Sequence, residues 1–289
     1  MGEEEEASEL DLDPELLLEQ AAEAKEAGEL EVAAKIYNAA GNIYMSVAEF
    51  EEALPAFENS LNLYKEIKDE TGISDTLYNL GVAQINLEQW DDAVATCTNA
   101  VSLFMKMKND DGLADSTYGL ALATLGKGGF DEAQELFKKA QKAYKTAGNE
   151  QGVASTIMDM GSAFADKEDW INADKTFKKA LVVYKELDDK AGIADALSLL
   201  GDIAEMNGNQ RKATELFVEA AENYLAAEIF DIAREVVDRA EGKMWDIPKA
   251  TRRRLRRTID DIRDALPEEV ESDDDDDVDE DLLEFVDLE

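Results

Sequence analysis

The sequence predicts an all-α protein, a solenoid of antiparallel helix pairs. Three observations carry that expectation. The same residue types return every forty positions over most of the chain, the units align without an insertion, and within each unit the apolar residues follow a helical face. One column reads Gly41, Gly81, Ala121, Gly161 and Gly201. Another reads Phe50, Trp90, Phe130 and Trp170, and Gln210 breaks it. Further columns are Ala53, Ala93, Ala133, Ala173 and Ala213, then Phe57, Cys97, Phe137, Phe177 and Phe217. Ser60, Ala100, Ala140, Ala180 and Ala220 follow, and Tyr64, Phe104, Tyr144, Tyr184 and Tyr224 complete the pattern.

The elements follow in chain order. Residues 1–13 carry seven acids and no base, and read as a disordered acidic segment. Pro14–Ala27 supplies a first helix. Leu30, Ala33, Tyr37 and Ala40 repeat the spacing of a second-helix face. Five units follow, at 34–73, 74–113, 114–153, 154–193 and 194–227. Their first helices are expected near 34–47, 74–87, 114–127, 154–167 and 194–207. Their second helices are expected near 50–67, 90–107, 130–147, 170–187 and 210–226. In the third unit Ala133, Phe137, Ala140 and Tyr144 step by four, three and four, one helical stripe. Gly72, Gly112, Gly152 and Gly192 read as residues of positive φ that stop each second helix. Phe230, Ala233, Val237 and Ala240 repeat the stripe once more, closing a solenoid over 14–243. An Arg-rich capping helix is expected from Pro248 to Ala265 within 244–267, with Asp246 as its cap. Residues 268–289, with fourteen acids and no base, read as a disordered tail. The total is about thirteen helices.

Composition narrows the function. The net charge of −39 opposes nucleic-acid backbones and anionic membranes and favours basic partners. There is no histidine and one cysteine, so an intrachain disulfide and a His/Cys metal site are excluded. No apolar run reaches the roughly 20 residues of a membrane span. The start lacks the basic and apolar regions of a signal peptide, and a cytoplasmic protein is expected. No phosphate loop, nucleophile–base pair or cofactor motif is present, so no catalytic residue, metal ligand or cofactor is assigned. Cys97 stands where other units have Phe and reads as core.

Leu77, Leu80-Gly81, Gln84, Ala93, Cys97 and Ala100, matched by Ile157, Met160-Gly161, Phe164, Ala173, Phe177 and Ala180, resemble the tetratricopeptide repeat. The forty-residue form, with its Gly-x-Ala phrase between units, is similar to the repeats of Pins-type cell-polarity scaffolds. The resemblance covers about 30–243. It implies a right-handed superhelix whose concave face is lined by the first helices, and a scaffold or adaptor that binds proteins there. By that analogy the groove positions are Asn38 and Asn42, then Asp75, Tyr78, Val82 and Ile85. They continue through Asp115, Tyr118, Leu122, Leu125, Met158, Asp195 and Asp202. Chaperone-binding members hold a partner's carboxylate with Lys, Arg and Asn. Here Lys35 is almost the only base at these positions, so an acidic peptide is not the expected ligand.

The expected partner is therefore a protein segment with apolar anchors flanked by Lys or Arg. Val82, Leu122 and Leu125 read first as packing between units, and Tyr78 and Tyr118 read equally as packing and as groove. Arg252, Arg253, Arg254, Arg256 and Arg257 surround the start of a stripe of Leu255, Ile259, Ile262 and Leu266. They form either a basic patch or a capping helix that neutralises nearby acids. Leu282, Leu283, Phe285, Val286 and Leu288 interrupt the acidic tail and suit a short motif that folds onto a basic, apolar surface. Two alternatives stand beside the scaffold: an escort for basic proteins that uses the acidic ends, and a membrane-fusion adaptor. The second rests on Ala34–Tyr44, which resembles soluble NSF attachment proteins. Oligomeric state is open.

Overall fold

A computed structural model describes residues 13–267 of the chain. Among them are thirteen α-helices, one short 3-10 turn and no strand. In order they are α1 (Pro14–Glu26), α2 (Leu30–Ser46), α3 (Phe50–Ile67), α4 (Glu70–Asn86) and α5 (Trp90–Met107). Then come α6 (Asp110–Gly126), α7 (Phe130–Ala147), α8 (Glu150–Asp166), α9 (Trp170–Leu187) and α10 (Lys190–Met206). The chain continues through α11 (Gln210–Ala226), α12 (Phe230–Gly242), the 3-10 turn Met244–Asp246, and α13 (Lys249–Ala265).

From Leu30 to Phe230 a new helix starts every twenty residues. The forty-residue sequence period is two such steps with alternating surroundings. The chain turns between helices in a fixed way. A residue of positive φ, between 55° and 92°, stands at 28, 48, 68 and every twentieth position on to 228. Seven of these are not glycine, among them Lys68, Glu88, Lys108 and Asp188. Each left-handed residue frees the next amide to reach back to the preceding helix, as in Asp69 N–H to Tyr64 C=O at 3.0 Å.

Here the structure corrects the sequence reading. Gly72, Gly112, Gly152 and Gly192 do not stop the second helices. They are the third residues of α4, α6, α8 and α10, and none has positive φ. The first helices begin four residues earlier than expected. Their caps are Asp69, Asn109, Asn149 and Asp189, whose side chains accept from the amides of Thr71, Gly112, Gly152 and Gly192. The glycines are there because the aromatic ring at the end of the preceding helix lies on them. A Cβ on Gly72, Gly112, Gly152 or Gly192 would fall inside the ring of Tyr64, Phe104, Tyr144 or Tyr184 respectively.

A second close approach lies inside each unit. A Cβ on Gly41 would stand 2.6 Å from the Phe57 ring, and one on Gly81 2.7 Å from Cys97 Sγ. Gly161 and Gly201 meet Phe177 and Phe217 in the same way. The four phenylalanines Phe57, Phe137, Phe177 and Phe217 are the largest fully buried side chains. Cys97 is 1% exposed, as its column predicted, and burial pushes its thiol up to about 12.

Helices pack with their sequence neighbours throughout, and direct contacts also run between successive first helices, α2–α4, α4–α6 and α6–α8. That asymmetry sets the first helices on the inner side of the stack. Leu30–Ser46 is one helix paired with α3, not a flanking second helix. The C-terminal α13 lies on α11 and α12 and buries Leu255, Ile259 and Ile262. The residue before it is Pro248, which offers no side-chain cap, and Asp246 ends the 3-10 turn instead. No helix among the described residues is long and apolar enough to cross a membrane.

Two substitutions test this packing by shifts in urea unfolding. Gly152→Ala should destabilise by about 1–3 kcal/mol, because neither the helix nor the Tyr144 ring has room to yield. Glu88→Gly should stabilise by about 0.5–1 kcal/mol, because it relieves a left-handed residue. Equal effects of the two would contradict the reading.

Candidate functional site

The inner face reads from α2 to α12 as a series of chemically distinct zones. At the start, Asn79 on α4 donates its amide to Asn38 Oδ1 at 3.3 Å and to Asn42 Oδ1 at 3.1 Å. The two expected groove residues on α2 are thus tied to a third that the sequence reading missed. Lys35 is exposed and pairs with Glu31 one turn away at 2.6 Å.

The middle zone joins tyrosines to carboxylates in two registers. Across one unit, Tyr144 Oη donates to Asp115 Oδ1 at 2.7 Å, and Tyr224 Oη donates to Asp195 Oδ1 at 2.6 Å. Both pairs are separated by 29 residues. Between first helices, Tyr118 Oη donates to Asp159 Oδ2. The Tyr118 ring also sits 6.2 Å from that of Phe137 and 6.3 Å from that of Tyr144, so Tyr118 has a structural role as well as a groove position. Asp75 breaks the series. The residue 29 positions on is Phe104, which has no hydroxyl to give. Asp75 is exposed beside the half-buried Tyr78.

Beyond this, Ile85, Leu122 and Leu125 line an open recess of about 470 Å³ with Trp90, Gly126, Gly128, Phe130 and Ala163. Asp166 and Lys167 stand at its edge, and Lys167 Nζ lies 5.7 Å from the Phe130 ring centroid. The recess is apolar because the aromatic first residues of α5 and α7 turn toward the ends of α6 and α8, Trp90 onto Gly126 and Phe130 onto Phe164. Gly126 keeps it open, since a Cβ there would strike Trp90. Val82 and Met158 are half-buried along the approach.

At the far end Asp202 is not a free rim carboxylate. Arg239 on α12 pairs with it and with Glu205 Oε2 at 2.9 Å, and Lys243 pairs with Glu205 Oε1. The Arg239 guanidinium lies 4.3 Å from the centroid of Phe217. α12 takes the next first-helix place after α10, and its Arg239 and Lys243 close the acidic end with bases that lie outside the groove positions expected from the sequence.

Of the arginines on α13, Arg252 donates to the carbonyls of Trp245 and Ile247 at 3.0 and 2.8 Å. Arg254 reaches Glu215 at 3.2 Å. Arg253, Arg256 and Arg257 are exposed. Leu282, Leu283, Phe285, Val286 and Leu288 lie outside the described residues.

Four carboxyls of the inner face are shifted in the same direction. Burial raises Asp75, Asp115, Asp159 and Asp202 above the usual carboxylate range. The tyrosine bonds at Asp115 and Asp159, and Arg239 at Asp202, offset only part of it. Glu205 goes the other way, held down by its bond to Lys243. A carboxyl raised in the folded state binds its proton more tightly there than in the unfolded chain. Stability is therefore lost as pH rises from about 3.9 through the raised values. The contribution of Glu205 is lost only below about 4.3. The thermal midpoint should rise as pH is lowered through the raised values, and Asp75→Asn with Asp159→Asn should flatten that slope. An unchanged slope in the double variant would count against the shifts.

Comparison with known proteins agrees with the architecture. The tetratricopeptide repeat family matches residues 36–71, 72–146 and 152–226. Among solved structures, BtubC (BKLC) from P. vanneervenii is 17% identical with a TM-score of 0.62, over 74% of this chain and 89% of that one. The apo quorum sensor NprR from B. thuringiensis is 14% identical with a TM-score of 0.62, over 88% of this chain and 82% of that one. A Rap protein solved with Competence and Sporulation Factor is 11% identical with a TM-score of 0.51, over 85% of this chain and 76% of that one. A search of curated proteins found no match. With the repeat, the paired helices and the inner face in place, the chain belongs to the tetratricopeptide repeat family.

Proposed function

We propose that the chain is a non-enzymatic scaffold whose inner face receives an extended segment of a partner protein, with one apolar side chain seated in the recess and Lys or Arg beside it. The repeat fold is that of a protein-interaction scaffold. The observation that carries the finer reading is the join of two chemistries on one surface. An apolar recess of about 470 Å³ has Asp166 at its edge, and Asp75 stands ten residues before the recess residue Ile85 on the same helix, about 15 Å along its axis. A volume of that size takes one Leu, Phe or Met side chain with room to adapt, and concave apolar sites with a few placed polar groups are where ligands bind.

Charge sets the polarity of the ligand. Asp75 lacks the tyrosine that its counterparts Asp115 and Asp195 hold, so it is the carboxylate most available to an incoming cation. An acidic segment would meet like charge at Asp75 and at Asp166. The Rap structure, solved with Competence and Sporulation Factor, shares the fold at low identity and supports a peptide-sized partner in kind only.

An array of immobilised peptides, varied at one apolar and two flanking positions, tests the reading against the intact chain. Peptides with Leu, Phe or Met next to Lys or Arg should be retained. Asp75→Asn combined with Leu125→Lys should weaken that retention by about tenfold, which is about 1.4 kcal/mol. Retention of acidic peptides, or retention indifferent to both substitutions, would overturn it.

A further inference from the structure

The C-terminal end of the stack carries a surface that the groove does not use. α13 begins with Lys249, Arg252, Arg253 and Arg254, and continues with Arg256 and Arg257. Most helices elsewhere in the chain open with acids in the first turn, so this one reverses the local rule. Arg252 and Arg254 have protein partners. Among the described residues, Lys249, Arg253, Arg256 and Arg257 are exposed and make no ion pair, not even with Asp260 and Asp261 one turn on. Beside them stands Trp245, 76% exposed, in the turn whose carbonyl holds Arg252. In a chain of net charge −39, four cations that pair with no described residue, near an open indole, call for an anionic, partly apolar occupant.

We infer that this surface docks the chain's own residues 268–289. The segment joins α13 directly after Pro267 and has the complementary composition, fourteen acids interrupted by Leu282, Leu283, Phe285, Val286 and Leu288. Its spacing also fits. Counting back from Ala265, Arg257 and Arg253 lie about 12 and 18 Å along the helix at 1.5 Å per residue. An extended chain of about 3.3 Å per residue brings Asp273 about 20 Å from Pro267. The run Asp273–Asp277 therefore returns to the arginines, and not to Asp260, Asp261 and Asp264 near the helix end. Leu282, at up to about 50 Å of chain from Pro267, reaches Trp245 with slack. The inner groove is the wrong place for the same segment, because its carboxylates carry the same sign.

The contact is electrostatic and therefore salt-sensitive.

Energy transfer in the full chain tests this. Ala250→Cys and Val278→Cys introduce the two dye positions, and Cys97 stays unlabelled because it is buried with its thiol pushed up to about 12. Transfer should be high at low ionic strength. It should fall by about half near 0.5 M salt, where screening shortens electrostatic reach to about 4 Å. Arg253→Gln, Arg256→Gln and Arg257→Gln together should produce the same fall at low salt, with helicity unchanged because all three side chains are exposed. Replacing Asp273–Asp277 with Asn should do so independently. Transfer that ignores both sets of substitutions would overturn the inference. So would transfer that occurs only between singly labelled chains, which would move the docking to a second copy.

Discussion

The structure depends on a close fit between a small residue and the side chain laid on it, repeated along the stack. First helices α4, α8 and α10 offer two such places with glycine, α2 only the one near its middle and α6 only the one near its start. Near the start, the glycine lies under the aromatic residue that ends the helix before it. Near the middle, Gly41, Gly81, Gly161 or Gly201 lies under Phe57, Cys97, Phe177 or Phe217 of the helix after it. The overlying side chain fills the space that the missing one leaves, so the helix axes stay close and the core stays dense. A solenoid has no central core to average over errors, and each interface is held only by its two neighbours. A single overfilled crossing therefore acts on one joint rather than diffusing through the fold.

The inner face follows from that geometry. The crossings fix the first helices side by side, and the remaining side chains of those helices meet across the gap in constant registers. Separations of 29 residues give Tyr144–Asp115 and Tyr224–Asp195, and one of 41 gives Tyr118–Asp159. A tyrosine bond spends a carboxylate on structure, so the groove is sorted into acids that hold the stack and acids that face outward. Asp75 belongs to the second group because its column supplies Phe104. Asp202 and Glu205 belong to the first, through Arg239 and Lys243. The recess between these zones exists because Gly126 concedes its volume to Trp90.

Much of this was legible in the sequence, for identifiable reasons. The second helices were placed correctly because an aromatic residue opens each of the first four, Phe50, Trp90, Phe130 and Trp170, and a stripe of Ala, Phe and Tyr runs along it. The first helices start earlier than the sequence predicts, because a glycine in this pattern reads as a helix stop. The true stops are left-handed residues carried by Lys68, Lys108 and Asp188 as well as Gly148, and a lysine gives no sign of that backbone. The cap signal was present in Asp69, Asn109, Asn149 and Asp189 and would have corrected the boundary. The groove columns were legible, but not which acids were already engaged. Those partners sit on other helices at separations that only the stacking register defines. The first helix of the stack shows the rule from the other side: Ala24 precedes α2 where later units have Tyr or Phe, and Val32 replaces the glycine.

A thermodynamic cycle on Gly192 and Tyr184 tests the ring-on-glycine fit most directly. Gly192→Ala alone should destabilise the chain strongly, because its Cβ would enter the Tyr184 ring. In a Tyr184→Leu background the same substitution should cost far less, giving a coupling of about 1–3 kcal/mol between the two sites. Additive losses, with no coupling beyond about 0.5 kcal/mol, would contradict it.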